Sequence, residues 1–465
     1  MRSPATAKLH MSAKSGSIYI DDGRADLPVP QEVRDLVGVL ENAGFSAWTV
    51  GGGVRDALRG ERPQDWDVAT SARPPDVRRL FRRTVAIGIE HGTIGVIGKS
   101  GRMYEVTTFR RDVETFGRKA RVVFAETLEE DLARRDFTMN AVAWHPESHE
   151  LRDPHQGVSD LQNRVLRTVG EPAERFREDR LRVLRGLRFA GRFQLRIDPA
   201  TWEAAVDSAP ELHILSAERV REELWKVLGG QESPSTAVRL YGEAGVLREL
   251  YPELEVLRSD PSPAGPWEHT LRCVDAAPQV RVPVRVAALL HRCGIAAESN
   301  TGEAALRSAA VARDLLRRLK CSNADVDTVT HLIAQLPAIP SSMAADAEFR
   351  RWIRVVGVAY TGDLFKLARA ACEADGQARG CADGLAETEA RAAAVLASNP
   401  ALGVGDLMIG GNDLRDAGIP AGRRYSTILS ELLELVTDDP SMNERERLLG
   451  EVERIEARQR SENAG

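Results

Sequence analysis

Hydrophobic periodicity changes character once along this chain, and that change limits the fold more than any other feature. Between residues 28 and 154, short runs that suit strands alternate with runs that suit helices. PQEVRDLVGVLENAG reads as an amphipathic helix closed by Gly44, FSAWTV as a strand, GGVRDALRG as a short helix and WDVAT as another strand. RPPDVRRLF reads as a helix opened by prolines, followed by strands near TVAI, TIGVI and MYEVTTF. After Gly157 the period is almost wholly helical, clearest in EDRLRVLRGLRFAGRF, SAERVREELWKVL and PSTAVRLYGEAGVLREL. Breaks rich in Pro, Ser and Gly fall near residues 257–266, 296–303 and 336–342. The pattern predicts an α+β chain: an α/β head followed by a long helical remainder.

Charge bears on partners. The 465 residues carry 63 Lys+Arg against 69 Asp+Glu, a net charge of −6, and 43% are hydrophobic. Such a balance excludes a disordered chain or a fibre, and the length suits several domains. A mildly acidic total counts against a nucleic-acid partner. Yet only 7 of the 63 basic residues are Lys, and the arginines suit forked contacts to phosphate wherever they gather. The first residues lack an apolar core of the signal-peptide kind, and no apolar run is long enough to span a membrane. Five scattered cysteines without a C-x-x-C pair suit a reduced, cytoplasmic protein better than a disulfide scaffold or a zinc site. Residues 1–27 read as a loose extension.

Four clusters carry chemistry. Gly51-Gly52-Gly53-Val54-Arg55 follows a strand and opens a helix, where backbone N–H groups approach an anion and Arg55 forks a phosphate. A tight strand–helix turn explains the glycines equally well. Next comes Asp65-Trp66-Asp67. On a strand, residues i and i+2 share a side, so two carboxylates face together and call for a cation, Mg²⁺ being the usual solution. Solvated acids on an edge strand are the plain alternative. Glu105 on a later strand offers a third carboxylate or an exposed acid. Arg134-Arg135-Asp136-Phe137-Thr138-Met139-Asn140 combines forked donors, an acceptor and an amide suited to phosphate and ribose, or else a capped turn. The densest cluster is residues 175–196, with eight arginines and two acids, Glu178 and Asp179. It is expected to form one helix, with Asp179, Arg182, Arg185 and Arg188 along a slowly drifting face.

In order, these strings resemble the bacterial class II tRNA nucleotidyltransferase (CCA-adding enzyme) and poly(A) polymerase family. GGGVRDALRG, RPQDWDVATSARPPDVRRLF, GIEHGTIGV, YEVTTFR, LEEDLARRDFTMNAVAW, EDRLRVLRGLRFAGRF and SAERVREEL carry the match across about residues 28–230. A looser likeness continues to Gly411-Asn412-Asp413-Leu414 and Asn443-Glu444-Arg445. The resemblance implies a nucleotidyltransferase head with a mixed sheet at 28–157, a helical neck with a nucleotide-selecting helix at 158–230, a body at 231–342 and an RNA-binding tail at 343–465. It implies template-free addition of CMP and AMP to the 3′ end of tRNA from CTP and ATP, in the cytoplasm, with no membrane or DNA partner.

By the same resemblance, Asp65 and Asp67 hold two Mg²⁺ ions; Glu105 stays the candidate third catalytic carboxylate from its strand position alone. Gly52, Arg55, Arg135, Arg185 and Arg188 contact the incoming nucleotide, Arg135 with Asp136 tests for a ribose hydroxyl, and Asp179 with Arg182 reads the base edge. Arg118, Lys119 and Arg121 fall in the family's flexible loop. Relatives that add only A, or that make poly(A) tails, form the runner-up reading. WEHTLRCVDAA and VRVAALLHRCG further resemble the start of an HD phosphohydrolase domain, but His291-Arg292 stands where a metal-binding His-Asp pair belongs. That departure opposes a hydrolase and leaves His269, His291 and Asp275 as packing residues.

Overall fold

The computed structural model describes residues 9–13, 16–21, 23–116, 119–230, 232–260, 262–263, 265–277, 281–294, 301–376 and 378–462. The chain forms two compact units, one of residues 1–230 and 236–252, the other of 231–235 and 253–465.

In the first unit, β1 (Leu9–Ala13), β2 (Gly16–Asp21) and β3 (Arg24–Ala25) form a small antiparallel sheet. The expected loose extension is therefore tied down at its end. Ala25 and Leu27 are buried, and the Trp144 indole N–H donates to the Ala25 carbonyl at 2.7 Å. Helix α1 (Gln31–Asn42) buries Val33, Leu36, Val37 and Leu40, the i, i+3, i+4, i+7 stripe its sequence shows. The main sheet comprises β4 (Ala47–Val50), β5 (Asp67–Thr70), β6 (Thr84–Gly88), β7 (Thr93–Ile97), β8 (Met103–Thr108), β11 (Ala143–Trp144) and β12 (Leu151–Arg152). Its order is β12-β11-β4-β5-β8-β7-β6, and β5 with β8 is the one parallel pair. The sheet is thus mixed. Between β8 and β11, strands β9 (Arg110–Phe116) and β10 (Lys119–Phe124) pair as a separate hairpin.

Short helices join these strands: α2 (Gly52–Leu58), α3 (Pro74–Leu80, with proline in its first turn) and α4 (Leu128–Ala133, opened by a Thr127–Glu130 capping box). Beyond the sheet, α5 (Gly157–Gln162), α6 (Pro172–Glu178), α7 (Leu181–Phe193), α8 (Pro199–Ser208) and α9 (Ala217–Gly229) complete most of this unit. The arginine-rich segment is therefore not one helix. Asp179 is extended, with φ −151° and ψ 105°, and separates α6 from α7.

The second unit is helical. One of its apolar clusters gathers Leu414, Ile428, Leu432, Leu448 and Val452. The two C-terminal motif fragments clasp that region: Arg445 pairs with Asp413, and the Asn443 amide donates to the Asp406 carbonyl while its oxygen accepts from Met408 N–H. Asp275 accepts from the Ser235 N–H at 3.0 Å, a packing role. The structure joins Cys372 to Cys381 as a disulfide, Cα atoms 6.0 Å apart, a pairing the scattered cysteines did not suggest. Among the described residues, no helix is long and apolar enough to cross a membrane.

Candidate nucleotide site

Sheet register brings the acidic and glycine motifs together. Antiparallel β4–β5 pairing sets Val50 opposite Asp67, so the glycine turn leaves β4 beside the first residue of β5. Parallel β5–β8 pairing matches Val68 with Val106, which sets Glu105 next to Asp67. Asp65 differs from expectation. It lies exposed in the segment before β5, so the shared side of one strand does not bring the pair together.

Two glycines serve distinct ends. Gly51 has φ +73°, and a Cβ there would meet Arg135 Nη1 at 3.1 Å. Gly53 lets α2 approach the Asp65 carbonyl so closely that a Cβ would lie 2.7 Å from it.

A cavity of about 520 Å³ opens beside these motifs. Seven arginines (55, 110, 134, 135, 182, 185 and 219) line it with four acids, Asp67, Glu105, Asp136 and Asp179. Gly52 also lines it, whereas Arg188 does not. Arg188 turns away to pair with the buried Glu223 of α9 at 2.7 Å. Each three-residue step along an α-helix swings a side chain back by about 60°, so two steps from Arg182 suffice to leave the cavity face.

A hydrogen-bonded chain spans the site. Arg55, buried against the rings of Phe189 and Phe193, donates to Asn140 Oδ1 at 2.7 Å. Asn140 Nδ2 and the Phe137 N–H both donate to Asp136 Oδ1, and the Arg185 guanidinium donates twice to Asp136 Oδ2, at 2.9 and 2.6 Å. Burial alone would raise the Asp136 carboxyl, but Arg185 and these donors overcome it and hold it at about 2. Asp131, almost fully buried, accepts from Arg134 and Arg135 and so orients both. Its spacing of three and four residues from them, at the end of α4, was a signal the sequence offered. Arg219 donates to Asp179 Oδ2 at 2.7 Å, while Arg182 pairs with Glu178 and donates to the Arg134 carbonyl. Nothing local marks Arg219, which lies 40 residues from its partner.

Asp67 is pushed up to about 6, first by burial, then by the neighbouring charges of Glu105 and Asp65, against the pull of Arg135. Hard oxygen donors crowded enough to resist ionisation suit a divalent cation, which relieves their repulsion. The carboxylates therefore fit the metal that the sequence implied. Of the expected loop residues, Lys119 and Arg121 lie on β10, and Arg118 falls outside the described residues.

Fold and site together define a class: a polymerase-type head whose mixed sheet presents carboxylates beside an arginine-lined cavity. Family comparison agrees. A model described as the poly A polymerase head domain matches residues 47–167, and one described as the probable RNA and SrmB-binding site of polymerase A matches residues 194–257. The CCA-adding enzyme of Streptococcus suis is 47% identical over 205 residues, 43% of this chain and 50% of that protein. The CCA-adding enzyme of Geobacillus stearothermophilus is 43% identical over 221 residues, 47% of this chain and 54% of that protein. In these alignments the chain spans about half the length of the curated relatives it matches. The crystal structure of the Bacillus stearothermophilus CCA-adding enzyme in complex with CTP is 31% identical, with a TM-score of 0.73 over 93% of this chain and 98% of that one. The chain belongs to the CCA-adding enzyme family.

Proposed function

We propose that this protein adds CMP and AMP to the 3′ end of tRNA from CTP and ATP, without a nucleic-acid template, in the cytoplasm. The observation that carries this reading is the single cavity in which Asp67 and Glu105 face Arg134 and Arg135 after α4, the arginines of α7 and α9, and the Asp179–Arg182 pair. The reaction joins the RNA 3′-oxygen to the α-phosphorus of the triphosphate and releases pyrophosphate. Two Mg²⁺ ions held by Asp65 and Asp67 would supply Lewis-acid stabilisation of the charge that develops on the phosphate oxygens. Glu105 adds negative charge beside them.

The protein's own side chains do the rest. Arg135, with backbone N–H groups at the glycine turn, suits phosphate. Arg55 and Arg185 hold their places through Asn140 and Asp136. Asp136 has both oxygens engaged by protein donors, which suits a positioning role for the Arg185 guanidinium more than direct contact with ribose. Asp179 only accepts and Arg182 only donates. Cytosine and adenine each offer an exocyclic amine next to a ring acceptor, matching that pair, whereas uracil presents a carbonyl to the carboxylate. Arg219 and Glu178 hold the two readers in place. RNA contacts are assigned to the second unit and to the matched RNA-binding segment.

Labelled CTP and ATP, supplied separately to tRNA lacking its three terminal nucleotides, test this reading. Incorporation of CMP from CTP alone supports it, and AMP incorporation with no CMP supports the A-adding runner-up instead. Asp65→Asn and Asp67→Asn are each expected to abolish incorporation while tRNA binding, followed by filter retention, persists. Activity retained in either variant would contradict the metal assignment.

A further inference from the structure

The second unit holds three ligand-type side chains that the proposed reaction does not use. His269 and Cys273 lie one turn apart on the helix Pro266–Ala276, and His291 follows the helix Val282–Leu290. All three are buried, and their ligand atoms lie within 4.8 Å of one another. The two imidazoles face each other through their Nε2 atoms, 3.1 Å apart.

Which nitrogens carry protons follows from the outer partners. His291 Nδ1 lies 2.8 Å from the Ala288 carbonyl oxygen, which can only accept, so Nδ1 bears the hydrogen and Nε2 a lone pair. A carboxylate oxygen of Asp375 lies 2.7 Å from His269 Nδ1, outside hydrogen-bonding geometry, and its charge favours the tautomer with the hydrogen on Nδ1 and a lone pair on Nε2. With those tautomers two lone pairs face each other, an arrangement that a cation between them stabilises. A tetrahedral ion with two bonds of about 2.0–2.1 Å to imidazole separates the nitrogens by roughly 3.3 Å, close to the spacing seen.

We propose that His269 Nε2, His291 Nε2 and the Cys273 thiolate bind one zinc ion, oriented from outside by Asp375 and the Ala288 carbonyl. Two imidazoles and a thiolate form a donor set of the zinc type, and a histidine whose other nitrogen meets a carboxylate is the usual supporting arrangement. Arg292, paired with Asp375 at 3.1 Å, occupies the place of a carboxylate that could bridge a second ion. The site is therefore mononuclear, and its role is to join the two helices that supply its ligands. Binding releases the Cys273 proton, so affinity rises with pH.

Cobalt(II) tests the site in the full-length protein, in a non-chelating reductant. The thiolate ligand predicts a near-ultraviolet thiolate-to-cobalt absorption band, titrating to about one ion per chain and displaced by zinc. The carboxylates Asp65 and Asp67 cannot produce such a band, so it should persist in Asp67→Asn and in the Cys372→Ser/Cys381→Ser double variant. Cys273→Ser and His291→Gln should each lose it. Added zinc should raise the melting temperature of the wild type and leave that of Cys273→Ser unchanged. A wild type without the band, or a band that survives Cys273→Ser, would overturn the proposal; the wild-type titration decides even where a variant folds poorly.

Discussion

Asp136 organises the cavity through its own ionisation. Its two oxygens take four protein donors, and the carboxyl is held near 2. A carboxylate with a lowered folded value contributes stability above its unfolded value, near 4, and loses that contribution as pH falls through the folded one. Asp136→Asn should therefore cost about 2 kcal/mol at pH 7. The gap between variant and wild type should close between about pH 4 and pH 2, as followed by urea unfolding. A gap independent of pH would mean that the charge contributes nothing. Gly53 governs a different link, the approach of α2 to Asp65. Its Ala variant puts a Cβ 2.7 Å from the Asp65 carbonyl and 3.2 Å from the Trp66 ring. Gly53→Ala should cost about 1–3 kcal/mol and depress incorporation together, and an unchanged denaturation midpoint would contradict the close-approach argument.

Helix α7 works on two faces. One presents Arg182 and Arg185 to the cavity, and the other joins α9 through Arg188 and the buried Glu223. Removing one partner of a buried ion pair leaves an uncompensated charge. Arg188→Met should cost about 3 kcal/mol, at the low end of the usual range because Lys226 still reaches Glu223. Arg188→Met with Glu223→Leu should recover most of that loss in thermal unfolding, and a double variant no better than the single would argue against pairing as the cause. How much of this the sequence disclosed depended on range. Strand and helix runs from α1 to β8 were legible because periodicity, glycine and proline all agreed locally. The turn at Asp179 was not, since EDRLRVLRGLRFAGRF has unbroken helical spacing; there one Asp179 oxygen accepts from the Leu181 N–H at the start of α7, and the other accepts from Arg219, 40 residues away. Spacing of three also suggested that Arg188 shared a face with Arg182, although the helical twist had already carried it round to α9.

At the scale of the whole molecule, the net charge of −6 conceals how charge is distributed. Seven arginines stand around one cavity, and many others are paired with acids elsewhere in the chain, as Arg351 with Asp438 and Arg354 with Glu434 illustrate. The functional reading needs both a site that accepts nucleotides and a product that stops growing. The most direct measurement is sequencing of tRNA 3′ ends after incubation with CTP and ATP together, starting from tRNAs lacking three, two, one or none of their terminal nucleotides. The account predicts that every shortened tRNA is restored to C, C and a single A, and that the complete tRNA is left unextended. Runs of A on any end, or shortened tRNAs returned unchanged, would contradict it.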